Sequence, residues 1–130
     1  ALRGGCLVLT ISQEAERARA LQAAGARVVP LPSREGRVDL EVALAFLARE
    51  GVLTLMVEGG PRVLTALMEG HLADSLSLFV APRVLGEGIG MGEGFSPASV
   101  AESFNLKDVT SRPVGDNLLV EGRFSCSPDL

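Results

Sequence analysis

The chain has 130 residues, a formal net charge of −4 and a pI near 5.0, with 47% hydrophobic and 4% aromatic residues. That length fits one domain around one core, and the absence of Trp and Tyr predicts an aliphatic core. The acidic balance excludes a general nucleic-acid surface, which needs a basic stripe, but allows a small anionic ligand held by a few local donors.

Two cysteines, Cys6 and Cys126, lie at opposite ends, His71 is the single histidine, and there is no Cys-x-x-Cys pair. A zinc site is therefore not expected. The cysteines read as small hydrophobes of a reduced cytosolic protein, a disulfide between them being the other reading. No apolar run approaches the roughly 20 residues of a membrane helix, and the N-terminus lacks a signal-peptide pattern. A cytoplasmic protein without a membrane partner is expected.

Ala1 to Gly5 reads as a linker. Cys6 to Ile11 is an apolar, β-rich strand. Ser12 is placed to cap a helix, with Glu14 and Glu16 in its first turn, Arg17 and Arg19 later, and Gly25 at its end. Arg27 to Pro30 is a short strand. After a proline loop, Asp39 caps a second helix whose buried side is expected to carry Val42, Leu44, Leu47 and Ala48, with Gly51 closing it.

Leu53 to Gly70 organises the rest. Leu53, Leu55, Met56 and Val57 form a short apolar run, as expected of a strand covered on both faces. Glu58 stands at the strand end. Gly59 and Gly60 let the backbone turn and approach something closely. Pro61 suits the first turn of a helix. Val63, Leu64, Leu67 and Met68 recur at helical spacing, and Gly70 stands where a C-cap glycine belongs. A helix N-terminus aimed from a sheet edge attracts phosphate through its free N–H groups and dipole. A glycine pair between strand and helix also serves as a plain turn.

Ser75 to Ala81 is a strand of period two, Leu76, Leu78 and Val80 alternating with Ser75, Ser77 and Phe79, and Pro82 ends it. Leu85 to Phe95 is glycine-rich and irregular. Glu87 and Glu93 argue by charge against an anion cradle there, so a plain sheet-edge loop is the favoured reading. Phe104 to Ser111 and Leu118 to Ser125 read as a closing hairpin turning at Pro113 to Asn117. The β-α-β-α-β-α-β order followed by a hairpin predicts an α/β fold. Its sheet is expected to be mostly parallel, with a C-terminal antiparallel hairpin and ligands beyond the C-terminal strand ends.

The run from Val57 to Gly88, with Glu58-Gly59-Gly60, Gly70 to Asp74, Ala81-Pro82 and Leu85-Gly86, resembles the C-terminal reductase domain of the bacterial bifunctional riboflavin biosynthesis deaminase-reductase. Val38-Asp39-Leu40 and the final hairpin are also in that family's order. The resemblance implies a dihydrofolate-reductase-like three-layer αβα fold. It also implies NADPH-dependent reduction of 5-amino-6-(5-phosphoribosylamino)uracil to its ribitylamino product. Carried over, Gly59, Gly60, Pro61, Arg62, Val63 and Leu64 bind the cofactor, and Glu58 contacts the phosphoribosylamino-pyrimidine substrate. Thr10 and Ser12 follow a strand that meets the adenosine end of the cofactor in this fold. Structural readings stand beside these: Arg62 as a solvated helix arginine, Glu58 as a partner of the helix cap, Ser12 as a simple cap. No catalytic acid–base pair is evident.

Ser75 departs from the family's usual Glu. The Ser-Leu-Asp-Gly signature that opens the family's domain does not occur. The whole chain, residues 1–130, is therefore expected to be one partial, N-terminally truncated reductase domain. An unpaired sheet edge makes a homodimer, or a strand exchange, the expected assembly. A non-catalytic dimerisation or binding module, or another dihydrofolate-reductase-like oxidoreductase, is the alternative.

Overall fold

The structure, a computed structural model, describes residues 5–125. The expected linker (but for Gly5) and Cys126, with any disulfide it would make, lie outside the described residues. Cys6 is exposed, so it does not serve a core. The fold is α/β and divides at Met56/Val57 into two compact units, each described by itself below.

The first unit opens with β1 (Leu7–Thr10), followed by α1 (Ala15–Ala23) and β2 (Arg27–Pro30). β1 and β2 pair in parallel, Leu7 with Arg27 through Thr10 with Pro30. Two-residue strands β3 (Ser33–Arg34) and β4 (Arg37–Val38) form a small antiparallel ladder before α2 (Leu40–Arg49). The Asp39 carboxylate accepts from the Glu41 and Val42 amides, the expected N-cap.

The buried stripe of α2 differs from expectation. Ala43 is its buried residue, flanked by half-buried Leu40, Leu44 and Leu47, while Val42 and Ala48 are exposed. Counting from Leu40 gives the i, i+3, i+4, i+7 face; counting from Val42 rotates it. α1 does not take the expected Ser12 cap either. Its N-cap is Glu14, without a side-chain cap bond, and its last turn holds no basic residue. Ser12 lies two residues earlier, where its hydroxyl accepts from the Glu14 amide at 3.3 Å.

Both helices end in the same way. Gly25 (φ +90°) donates to Gln22 O and Ala26 to Leu21 O; Gly51 (φ +86°) donates to Ala48 O and Val52 to Leu47 O. These paired bonds satisfy last-turn carbonyls only if the residue after the cap is left-handed, which glycine adopts freely.

Arg27 ties the start of β2 to the end of α2. Its guanidinium makes a two-pronged bond to the Glu50 carboxylate, at 2.6 and 2.9 Å, and lies 5.5 Å from the centre of the Phe46 ring. The Arg27 hydrogen bond holds the Glu50 carboxyl below its ordinary value, against a smaller opposing effect of desolvation. A depressed carboxyl stabilises above its unfolded-state value and ceases to do so as pH falls through its folded value. Glu50→Gln is therefore expected to lower the thermal midpoint at neutral pH. The gap to the parent should close on acidification below the ordinary carboxylate value of 4.5. Melting curves across that range test this; a gap constant with pH contradicts it.

The second unit holds α3 (Pro61–Glu69), β5 (Ser75–Val80), β6 (Leu106–Val114) and β7 (Asn117–Phe124). Its sheet has the order β5-β7-β6, antiparallel throughout. The expected mostly parallel sheet is thus corrected: among the described residues, parallel pairing is confined to β1 and β2. Period-two patterning in Ser75–Val80 marks a strand but carries no direction.

The hairpin turn is Gly115-Asp116, with Gly115 at φ +56° in the first central position. Pro113 belongs to β6 opposite Leu118 rather than to the turn, as an edge strand allows. A bulge between Lys107 and Thr110 puts Asp108 at φ +52°. The opposing Gly122 is packed so closely that an added Cβ would come 3.0 Å from Leu106 Cβ.

The expectation of an aliphatic core holds only in part. Leu67, Met68 and Leu119 are buried, but so is Phe124. Phe95 stacks on Phe104 with ring centres 4.6 Å apart, and Phe104 meets Phe124 edge-on at 6.2 Å. Few aromatics in a sequence do not prevent those few from gathering.

Leu53 to Val57 is the largest departure. Residues 52–60 carry no strand, and Leu53 and Met56 are 96% and 80% exposed. An apolar run becomes a strand only where a neighbouring ladder accepts its amides, and no described strand pairs with this one.

Candidate functional site

The Gly-Gly turn is where expected, ahead of α3. Gly60 is the N-cap with φ −71° and ψ 170°, and Pro61 follows at N1. No side chain caps the helix. Glu58 thus does not serve as a capping partner, and its carboxylate is exposed.

The two glycines differ in their surroundings. A Cβ on Gly59 would lie 3.0 Å from Val63 Cβ and 3.6 Å from Val57 Cγ1, so Gly59 packs tightly on Val63. A Cβ on Gly60 would meet nothing within 4 Å. Open space therefore lies beside the helix N-terminus.

The first-turn amides also divide. Val63 and Leu64 both donate to Gly60 O, at 3.0 and 3.2 Å. Pro61 has no N–H. The Gly60 and Arg62 amides have no protein acceptor among the described residues. The donors available to an anion are these two, together with the dipole of a nine-residue helix. The buried side of α3 carries Leu67 and Met68, with Leu64 half-buried and Val63 exposed.

The Arg62 guanidinium is engaged. Its Nε donates to Glu93 Oε1 at 2.5 Å. One turn along, Thr65, 4% exposed, accepts a 3.0 Å bond from the Glu93 amide. Glu93 thus does more than set a charge unfavourable to anions in a plain loop. The pairing spans 31 residues, beyond any local pattern. The one available signal was Thr65, a polar residue on the buried side of a helix, which needs a partner.

His71 follows α3 at φ +52°, the left-handed position after the Gly70 cap. Gly70 itself has φ −76°. The glycine needed for the reversal thus stands one residue early, and a Cβ on it would come 3.0 Å from Ala66 O. The His71 ring is turned edge-on to Phe104 at 6.4 Å.

Thr10 and Ser12 belong to the first unit. The Thr10 hydroxyl accepts from the Ser12 amide at 3.0 Å, which fixes the chain as it leaves β1. With Gln13, Gln22 and Pro30 they line an open depression of about 310 Å³ at the C-terminal ends of β1 and β2. Among the described residues, no group of His, Cys, Asp or Glu is arranged to hold a metal ion.

Comparison with known proteins places the chain in a family. Residues 3–120 match the model of the RibD C-terminal domain. The riboflavin biosynthesis protein RibD of Aquifex aeolicus is 29% identical over 113 residues, covering 87% of this chain and 30% of that protein. A protein of Archaeoglobus fulgidus named 2,5-diamino-6-ribosylamino-4(3H)-pyrimidinone 5′-phosphate reductase is 32% identical over 93 residues, covering 70% of this chain and 40% of its own. Among solved structures, a pyrimidine reductase-like protein of Corynebacterium diphtheriae superimposes with a TM-score of 0.68 at 21% identity, covering 93% of this chain and 50% of that one. The chain thus spans less than half the length of these curated relatives. With a family match running through both units, the chain belongs to the RibD C-terminal domain family.

Proposed function

We propose that the chain is part of an NADPH-dependent reductase of riboflavin biosynthesis, reducing the ribosyl group of 5-amino-6-(5-phosphoribosylamino)uracil to the ribitylamino product. The observation that carries this reading is the turn before α3, where open space beside Gly60 adjoins two unpartnered amides. A dinucleotide pyrophosphate is the kind of group such a helix start receives. The name of the A. fulgidus relative supplies the substrate class.

The residues of this chain fit the cofactor. The Gly60 and Arg62 amides would hold the pyrophosphate, and the Arg62 guanidinium could add a charge-assisted bond. Pro61, Val63 and Leu64 fix the helix start, and Gly59 shapes the turn by packing on Val63. Thr10 and Ser12 would meet the adenosine end. NADPH supplies the hydride, so the protein's task is positioning. Glu58, exposed at the turn, can accept from a ribose hydroxyl or a pyrimidine N–H.

In this reading both units belong to one dihydrofolate-reductase-like domain of three layers, in a cytoplasmic homodimer. Support for assembly comes from β5, whose Leu78, Phe79 and Val80 are all exposed. Among the described residues no helix is long and apolar enough to cross a membrane.

Calorimetric titration of the chain with NADPH, beside NADH, tests the reading. Heat of binding and a raised thermal midpoint with NADPH are expected, since a ligand binding only the native state stabilises it. No heat and no shift with either nucleotide would sink it.

A further inference from the structure

We propose that the glycine-rich segment 86–94 is a strap latched onto the first turns of α3 by Glu93, and that the latch competes with an anion for Arg62. The second half rests on the cofactor reading above.

Three observations carry the strap. Thr65 is the buried polar residue among the described residues, and its hydroxyl is satisfied by the Glu93 amide. Gly92 is fitted to the same hydroxyl, since a Cβ there would come 3.3 Å from Thr65 Oγ1. Arg62 closes the contact through Glu93 Oε1. Gly86 (φ +76°) and Gly94 (φ +86°) bound the segment with left-handed turns that other residues adopt at a cost.

The hold is weak by construction. Ile89 is almost wholly exposed, so apolar burial does not pin the segment ahead of Phe95, whose ring stacks on Phe104. The Arg62–Glu93 pair is half-exposed, and such pairs contribute little. Ahead of that ring the segment is held by one ion pair and one hydrogen bond, and such a segment opens at low free energy. Closed, its carboxylate occupies an Arg62 donor that a phosphate oxygen would otherwise use. Opening hands that donor to the ligand.

The test uses the full chain with Glu93→Gln and, separately, Arg62→Gln. Hydrogen exchange of the 86–94 amides, without ligand, is expected to quicken several-fold in both variants, and in the parent at high salt. NADPH affinity of Glu93→Gln is expected to rise by up to about five-fold, the equivalent of one exposed ion pair. Arg62→Gln is expected to weaken binding despite its loosened strap. Unchanged exchange in both variants overturns the strap. Faster exchange with unchanged or weaker NADPH binding in Glu93→Gln overturns the competition. Faster exchange with no binding by any form, parent included, supports the strap and fails the cofactor reading alone.

Discussion

Gly60→Val is expected to weaken NADPH binding by well over about ten-fold while leaving the fold nearly intact, and Gly59→Val to damage the fold itself. The contrast follows from the two backbone environments. Gly60 has φ −71°, a value any residue adopts, and its missing side chain would meet no protein atom within 4 Å. A valine there fills the space beside the helix start. Its own cost is small, about 0.5–1 kcal/mol, because valine is a poorer N-cap than glycine. A branched side chain between the pyrophosphate and the amides should raise Kd by well over about ten-fold, or about 1.4 kcal/mol.

Gly59 has no such freedom. Its added Cβ would lie 3.0 Å from Val63 Cβ and 3.2 Å from Val63 Cγ1, so Val63 must give by a few tenths of an ångström even before the rest of a valine is added. Overpacking of that kind costs about 1–3 kcal/mol. Thermal melts and calorimetry on both variants give the comparison. Parent-like NADPH binding by Gly60→Val would remove the cofactor from this turn, whatever else the chain binds.

What the residues made legible, and what they did not, divides along range. Short-range chemistry was readable. Asp39 caps α2, Gly25 and Gly51 take left-handed positions after their helices, and Pro61 opens α3 behind a glycine. Each depends on neighbours within four residues. Ser12 failed at the same range because a serine hydroxyl can bond a turn as well as a helix, and here it takes the turn.

Long-range facts were not readable. Leu53 to Val57 and Ser75 to Val80 both looked like strands, yet only the second found a ladder, with β7. Nothing in either segment states its partner. The direction of β5 was equally silent, and with it the antiparallel sheet. At the site, the glycine turn could be found from its residues. The division of labour between Gly59 and Gly60, and the capture of Arg62 by Glu93, needed three-dimensional distances.

Phe124→Ala is expected to have the largest effect on stability, about 3–5 kcal/mol, the range for emptying a phenylalanine from a core. Phe124 is 5% exposed, at the end of the central strand β7, edge-on to Phe104, and its amide donates to Asp74 O at 3.0 Å. Alanine keeps that backbone bond but takes the Phe124 ring from Phe104, which is left with Phe95 and His71. Whole-domain stabilities are only about 5–15 kcal/mol, and few side chains here are buried, so such a loss removes much of what holds the second unit together. Phe79→Ala is the internal control. It removes the same side chain from the same sheet at a position 61% exposed, and should cost under about 1 kcal/mol when the monomer is measured at high dilution. Urea unfolding of the two variants, followed by far-ultraviolet circular dichroism, separates them through the midpoint. Equal losses would mean that burial of Phe124 does not set the cost and that the aromatic cluster does not hold this sheet.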